Sequence, residues 1–145
     1  MKKFFFPVAL LIISFLFFSF GQQSEEKNKD GIFIHVSHGV NDPHRVLMAL
    51  SMAEKMAENK DVILYFDIKG VEVLLKEAPD LTFSHFASSH TQIQKLLDKG
   101  ITIMACPGCL KAAGKTPEDL REGIMIADKE KFFNFTSGRI LSIDY

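Results

Sequence analysis

From Gly31 onward, apolar positions follow two alternating rhythms. "GIFIHVS" (31–37) is short, β-branched and aromatic, which predicts a strand. In "NDPHR", Asp42 before Pro43 fits an N-cap with proline at the first helical position. The run to Glu58 then sets Val46, Leu50, Ala53 and Ala57 on one stripe, widened by Leu47 and Met56, and Asn59 fits as a stop. "DVILYFD" (61–67) is a continuous apolar run, as in a strand covered on both faces. "GVEVLLKEA" (70–78) reads as a short helix or turn ended by Pro79. "SSHTQIQKLLDKG" (88–100) reads as a helix opened by a capping box of Ser89 and Gln92, with Ile93, Leu96 and Leu97 buried and Gly100 as its end. "ITIMA" (101–105) is the next strand, and Thr116-Pro117-Glu118-Asp119 is a further capped helix start. "GIMIA" (123–127) predicts a fourth strand, "DKEKFFNFTSG" (128–138) a helix, and "RILSIDY" (139–145) a fifth strand.

Strands separated by helices imply parallel pairing with right-handed crossovers. The expected fold class is therefore α/β: a three-layer α/β/α sandwich around a mainly parallel five-stranded sheet. It occupies residues 31–145 as one domain. There is no internal repeat, and the phenylalanines of this region read as packing.

The first residues follow a different pattern. Lys2 and Lys3 precede an apolar run from Phe4 to Phe20, and Ser19-Phe20-Gly21 puts small residues where a cleavage site needs them. That order is a secretory signal peptide over 1–21. It implies a periplasmic or secreted protein, with a membrane attachment only if the signal stays uncleaved. "QQSEEKNKD" (22–30) carries no apolar residue and reads as a flexible leader. Losing Lys2 and Lys3 and no acid moves the formal net charge from −1 to −3, which argues against a nucleic-acid partner.

Chemistry concentrates in "IMACPGCLKAAGK" (103–115), which holds both cysteines, Cys106 and Cys109. In an open parallel sheet, ligands sit beyond the carboxyl ends of the strands. Two loops qualify by composition: Ser37, His38, Gly39, Asn41 and Asp42 after the first strand, and Cys106-Pro107-Gly108-Cys109 after the third. If those strands are near neighbours, the loops face one another. A thiol at the start of a helical turn meets free N–H groups that favour the reactive thiolate, and Lys111 adds positive charge nearby. Cys106 is then a nucleophile or sulfur carrier. A short disulfide is the competing reading, permitted by export but worth little chain entropy. A metal site would need more ligands than one C-x-x-C supplies, with His38 as the best supplement. His38, Asn41, Asp42 and Lys111 are the candidate binding residues. His35 falls on the strand face opposite Ile34 and Val36 and reads as a satisfied face histidine; His44 reads as solvated, and His85 and His90 receive no role. No cofactor or resident metal is expected. A thioredoxin reading fits poorly, because the pair lies in the last third of the chain and only Pro117 follows it.

"SHGVNDPHRVLMALSMA", "GVEVLL" and "GITIMACPGCLKAAG" followed by "GIMIA" together resemble the DsrE/DsrF-like (YchN-like) family over most of residues 31–145. The resemblance implies a parallel five-stranded sheet between helices and a homo-oligomer, trimeric or hexameric. Some members relay persulfide sulfur on a cysteine at the end of the central strand. Cys106 matches that position, and Cys109 matches a second cysteine found in a subset. Ala113-Gly114 stands where those members carry arginine-glycine. The resemblance thus implies a persulfide carrier or thiol-exchange protein, with a sulfur or thiol partner. The rival reading is a binding or assembly module whose cysteines form a structural disulfide.

Overall fold

A computed structural model describes residues 28–145; the expected signal peptide and most of the expected leader lie outside the described residues. Five strands form one sheet: β1 (Gly31–Val36), β2 (Asp61–Phe66), β3 (Thr102–Ala105), β4 (Met125–Ile126) and β5 (Ile140–Asp144). The helices are α1 (Pro43–Met56), α2 (Ser89–Asp98), α3 (Pro107–Ala112) and α4 (Lys129–Phe133), with 3-10 turns at Gly70–Leu74 and Pro117–Asp119. The strand order is β4-β3-β2-β1-β5, and every neighbouring pair is parallel. Each return to the same end of the sheet needs a crossover, which the helices and turns supply.

Alternation along the strands divides the side chains between two faces. Ile32, Ile34, Val36, Leu64, Phe66, Ile103 and Ala105 join Val46, Leu47, Leu50 and Ala53 of α1 and Ile93 and Leu96 of α2 in the main core. Phe33, His35 and Tyr65 take the other face, where the Phe132 ring of α4 lies 4.7 Å from Phe33 and 5.3 Å from Tyr65. The second face thus has one short helix as its cover, a thinner layer than the sequence pattern suggested.

Three local expectations resolve differently. The helix foreseen over 128–138 ends at Phe133. Beyond it the Thr136 hydroxyl donates to the Lys29 carbonyl at 2.7 Å and accepts from the Gly138 N–H at 3.2 Å, so side-chain bonding replaces the helical ladder. The start at Thr116 is a single 3-10 turn. Its box closes through Asp119, whose carboxylate accepts from the Thr116 N–H at 2.8 Å, and Leu120 then runs extended to bridge Leu75. Ser89 and Gln92 do not cap α2. Ser88 is its N-cap; the buried Ser89 hydroxyl accepts from the Leu81 N–H at 2.9 Å, and Gln92 donates to the Ala87 carbonyl at 2.7 Å. Both side chains instead anchor the loop that precedes the helix. Asp42 does cap α1, accepting from the Arg45 N–H at 3.2 Å with Pro43 in the first turn.

Candidate functional site

β3 delivers Cys106 to the carboxyl end of the sheet, where it is the N-cap of α3. Its N–H is held by the Phe66 carbonyl at 2.8 Å. Pro107 brings no N–H and a φ already suited to a helix. The free N–H groups of Gly108 and Cys109 therefore point back at the Cys106 sulfur. One turn of helix brings Cys109 over Cys106, and the two unbonded thiols approach to 3.4 Å, both half-exposed.

The neighbouring strand completes the surroundings. Tyr65 of β2 pairs with Met104 of β3. Alternation puts Tyr65, Met104 and Cys106 on one face, which sets the Tyr65 phenol on the Cys106 side of the sheet. Past Asp67 the chain turns sharply at Ile68, which holds left-handed backbone at φ 45° with its side chain 61% exposed. That turn aims the Ile68 N–H at the Cys109 sulfur. Asp67 lies behind, its Oδ1 2.8 Å from His35 Nε2, while His35 Nδ1 meets Asp144 Oδ1 of β5 at 2.9 Å. By distance the first contact is an ion pair; by angle it is not a hydrogen bond, and both atoms are buried without another partner. The contact is electrostatic, since close opposite charges attract over a wide range of angles.

These contacts split the two thiols. Burial pushes the Cys106 thiol up, but hydrogen bonds from Tyr65, the Cys109 N–H and thiol, and the Gly108 N–H outweigh it, so its pKa falls below the usual value. The Ile68 N–H draws Cys109 down, but burial, the Cys106 charge and the Asp67 carboxylate prevail, so its pKa rises. Burial, reinforced by Cys106, Asp67 and Cys109, holds the Tyr65 phenol well above its ordinary value, so it stays a proton donor. Burial opposes charge on His35, but Asp67 and Asp144 overcome it and raise its pKa.

The other residues singled out in the sequence lie on the loop after β1, at the start of α1 and on α3. Asn41 Oδ1 accepts from the Gly39 N–H at 2.9 Å, Asp42 caps α1, and His38 Nδ1 lies 3.2 Å from the Ser37 hydroxyl. Lys111 is exposed in the last turn of α3. The loops after β1 and β3 do not face one another directly, because β2 runs between their strands. Its own loop fills the gap: Lys69 N–H donates to the Ser37 carbonyl at 3.2 Å, and Gly70 lies so close to the Val36 carbonyl that a Cβ would collide with it. Tyr65, Asp67 and Ile68 were therefore the residues the sequence reading passed over. The available signal was Asp67, a charge ending a continuous apolar run at the sheet's carboxyl edge. Among the described residues no three His, Cys, Asp or Glu side chains gather as metal ligands, His38 with the cysteines included. A groove of about 600 Å³ lies at the opposite end of the sheet, lined by Lys60, Asp61, Lys99 and Thr102, and takes no part in the thiol site.

Solved structures share this architecture. MTH1491 of Methanobacterium thermoautotrophicum, a protein of unknown function, aligns at 19% identity with a TM-score of 0.56, covering 78% of this chain and 98% of its own. The ychN protein of E. coli aligns at 15% identity and TM-score 0.61, covering 79% and 99%. BT1422 of Bacteroides thetaiotaomicron, a conserved protein of unknown function, aligns at 21% and 0.51, covering 79% and 95%. Comparison with curated proteins gives no match. At such identities these likenesses establish the fold, a mainly parallel α/β sheet. The model of the DsrE/DsrF-like family matches residues 30–137, most of the described chain, and the protein belongs to that family.

Proposed function

We propose that this protein is an exported sulfur carrier, which accepts sulfane sulfur on Cys106 and resolves it with Cys109. The observation that carries the reading is a pair of unbonded thiols 3.4 Å apart whose surroundings favour charge on Cys106 and oppose it on Cys109. A thiolate beside a protonated thiol is a nucleophile with its resolving partner in reserve. In uptake, the Cys106 thiolate attacks the outer sulfur of a persulfide donor R–S–SH. The Cys106–S–SH bond forms, the donor's S–S bond breaks, and R–S⁻ leaves with the electron pair. In release, Cys109 gives its proton to water and attacks the Cys106 sulfur. The Cys106–Cys109 disulfide forms and HS⁻ departs. An external thiol reductant then restores both thiols at the cost of its own oxidation.

The open placement of the thiols suits a protein-borne or small thiol donor. The apolar run from Phe4 to Phe20 supports action in the periplasm or outside the cell, and family membership supports a trimer or hexamer as the working form. The test is mass spectrometry of the reduced protein after incubation with cysteine persulfide. The expected result is a gain of one sulfur on Cys106, retained in Cys109→Ser. No gain under conditions that load a known persulfide carrier would remove the proposal. Protein taken from the cell envelope with a disulfide that resists mild reductant would favour a structural pair instead.

A further inference from the structure

We propose that Tyr65 is the third working group of the thiol site, a clamped phenol that singles out Cys106 as the nucleophile. The inference rests on Cys106 being the sulfur acceptor, and it adds the residue that selects this thiol over its neighbour.

Three observations converge on Tyr65. Register and alternation place it on the same sheet face as Cys106, one strand away, where it is the foremost side chain favouring the Cys106 thiolate. Its ring is fixed on several sides. Phe132 meets it edge-on at 5.3 Å, and Phe33 and His35 of β1 each lie 5.9 Å away. Such packing leaves the ring little rotamer freedom, so the hydroxyl's position is set before any substrate arrives. The phenol also remains protonated, because its burial and the neighbouring anionic groups oppose its ionisation. The foremost group favouring charge on Cys109 is the Ile68 backbone N–H, while Cys106 and Asp67 oppose it.

An O–H donor facing a sulfur stabilises the thiolate over the thiol and is lost when the charge leaves. Tyr65 therefore acts twice. Before uptake it holds the Cys106 thiolate that attacks the donor. When an external thiolate later reopens the disulfide by bonding to the Cys109 sulfur, the S–S electron pair leaves on Cys106, and Tyr65 receives that charge. No proton is transferred from the phenol in either step, so no further reactant is required.

The experiment follows the pH dependence of iodoacetamide alkylation of Cys106 in a Cys109→Ser background, with Tyr65 and with Tyr65→Phe. Phenylalanine keeps the ring and its packing and removes the donor. The alkylation midpoint is expected to rise by about one pH unit, so that the rate near neutral pH falls about tenfold. Phe132→Leu, which loosens the clamp and spares the phenol, is expected to move the midpoint the same way by less. Unchanged midpoints in both variants would overturn the assignment. A shifted midpoint in a protein that takes up no sulfur would support Tyr65 as the donor to Cys106 while removing the carrier reading.

Discussion

Ile68 holds left-handed backbone at φ 45°, a conformation that L-residues with branched side chains resist. Replacing it by alanine and, separately, by glycine isolates the backbone strain. The Ile68 side chain is 61% exposed, and both variants lose essentially the same contacts, so that loss cancels between them. Alanine keeps a Cβ and the left-handed penalty of roughly 1–2 kcal/mol. Glycine escapes the penalty but loses about 0.5–1 kcal/mol more chain entropy on folding. The difference leaves the glycine variant ahead by about 0.5–1 kcal/mol. For a domain of about 115 residues that is roughly 2–4 °C in Tm. At an ordinary strand or helix position the ranking is the opposite. Thermal melts followed by far-UV circular dichroism provide the comparison, with both thiols reduced. An alanine variant that melts as high as the glycine variant would refute the claim of strain at this turn. In neither variant does the N–H that faces Cys109 disappear, so alkylation of Cys109 serves as a check that the turn has kept its course.

Other expectations test the loops, the histidine and the thiols. Asp42→Ala removes the α1 cap at a cost of about 1 kcal/mol, while Asp42→Ser retains most of it; Cys106 alkylation should not change, and a slowed reaction would place Asp42 in the chemistry. Gly70→Ala forces a Cβ against the Val36 carbonyl and should cost about 1–3 kcal/mol, measured by urea unfolding; a neutral outcome would mean that the two loops are not locked together. His35 has a raised pKa, so its ion-pair contribution is complete below the unfolded histidine value of about 6.5 and is lost as pH rises through the higher folded value. In a protein lacking both thiols, the urea midpoint should therefore drop as pH rises above about 6.5, and less so in Asp144→Asn; equal profiles would show that the Asp144 contact contributes nothing. After a pulse of persulfide donor, wild-type protein should release hydrosulfide and Cys109→Ser should not; release by both would deny Cys109 its resolving role.

The strands were legible because apolar runs such as 61–67 and 101–105 have few other uses in a parallel fold. Their order was not, since the sequence does not say which crossover lands beside which strand. That ignorance hid the site's second half. Tyr65 sits inside an apolar run, where nothing local tells which face it takes, and only its register with Met104 brings it to Cys106. His35 was simpler: alternation put it on the face away from Ile34 and Val36, although its two carboxylate partners come from distant β2 and β5 segments. The helix expected over 128–138 stops at Phe133 because its phenylalanines pack in different places. Phe132 lies on the sheet, whereas Phe135 and Thr136 fold over Gly31. Ser89 and Gln92 show the same ambiguity in polar form: residues suited to a cap also suit a buried anchor.

The thin cover on the second sheet face bears on how this protein fluctuates. α4 has five residues, and the segment after it leads into an edge strand whose Ile140 and Leu141 are 45% and 59% exposed. A region with so little buried apolar surface opens at a lower free energy than the β1–β2–β3 centre. Its opening would carry away the Phe132 ring and the Asp144 carboxylate together, releasing the Tyr65 clamp and one arm of the His35 contact. Thiol reactivity should then follow a local unfolding equilibrium. Amide exchange would report it as earlier labelling of 129–144 than of 61–66, and equal protection in the two segments would exclude it.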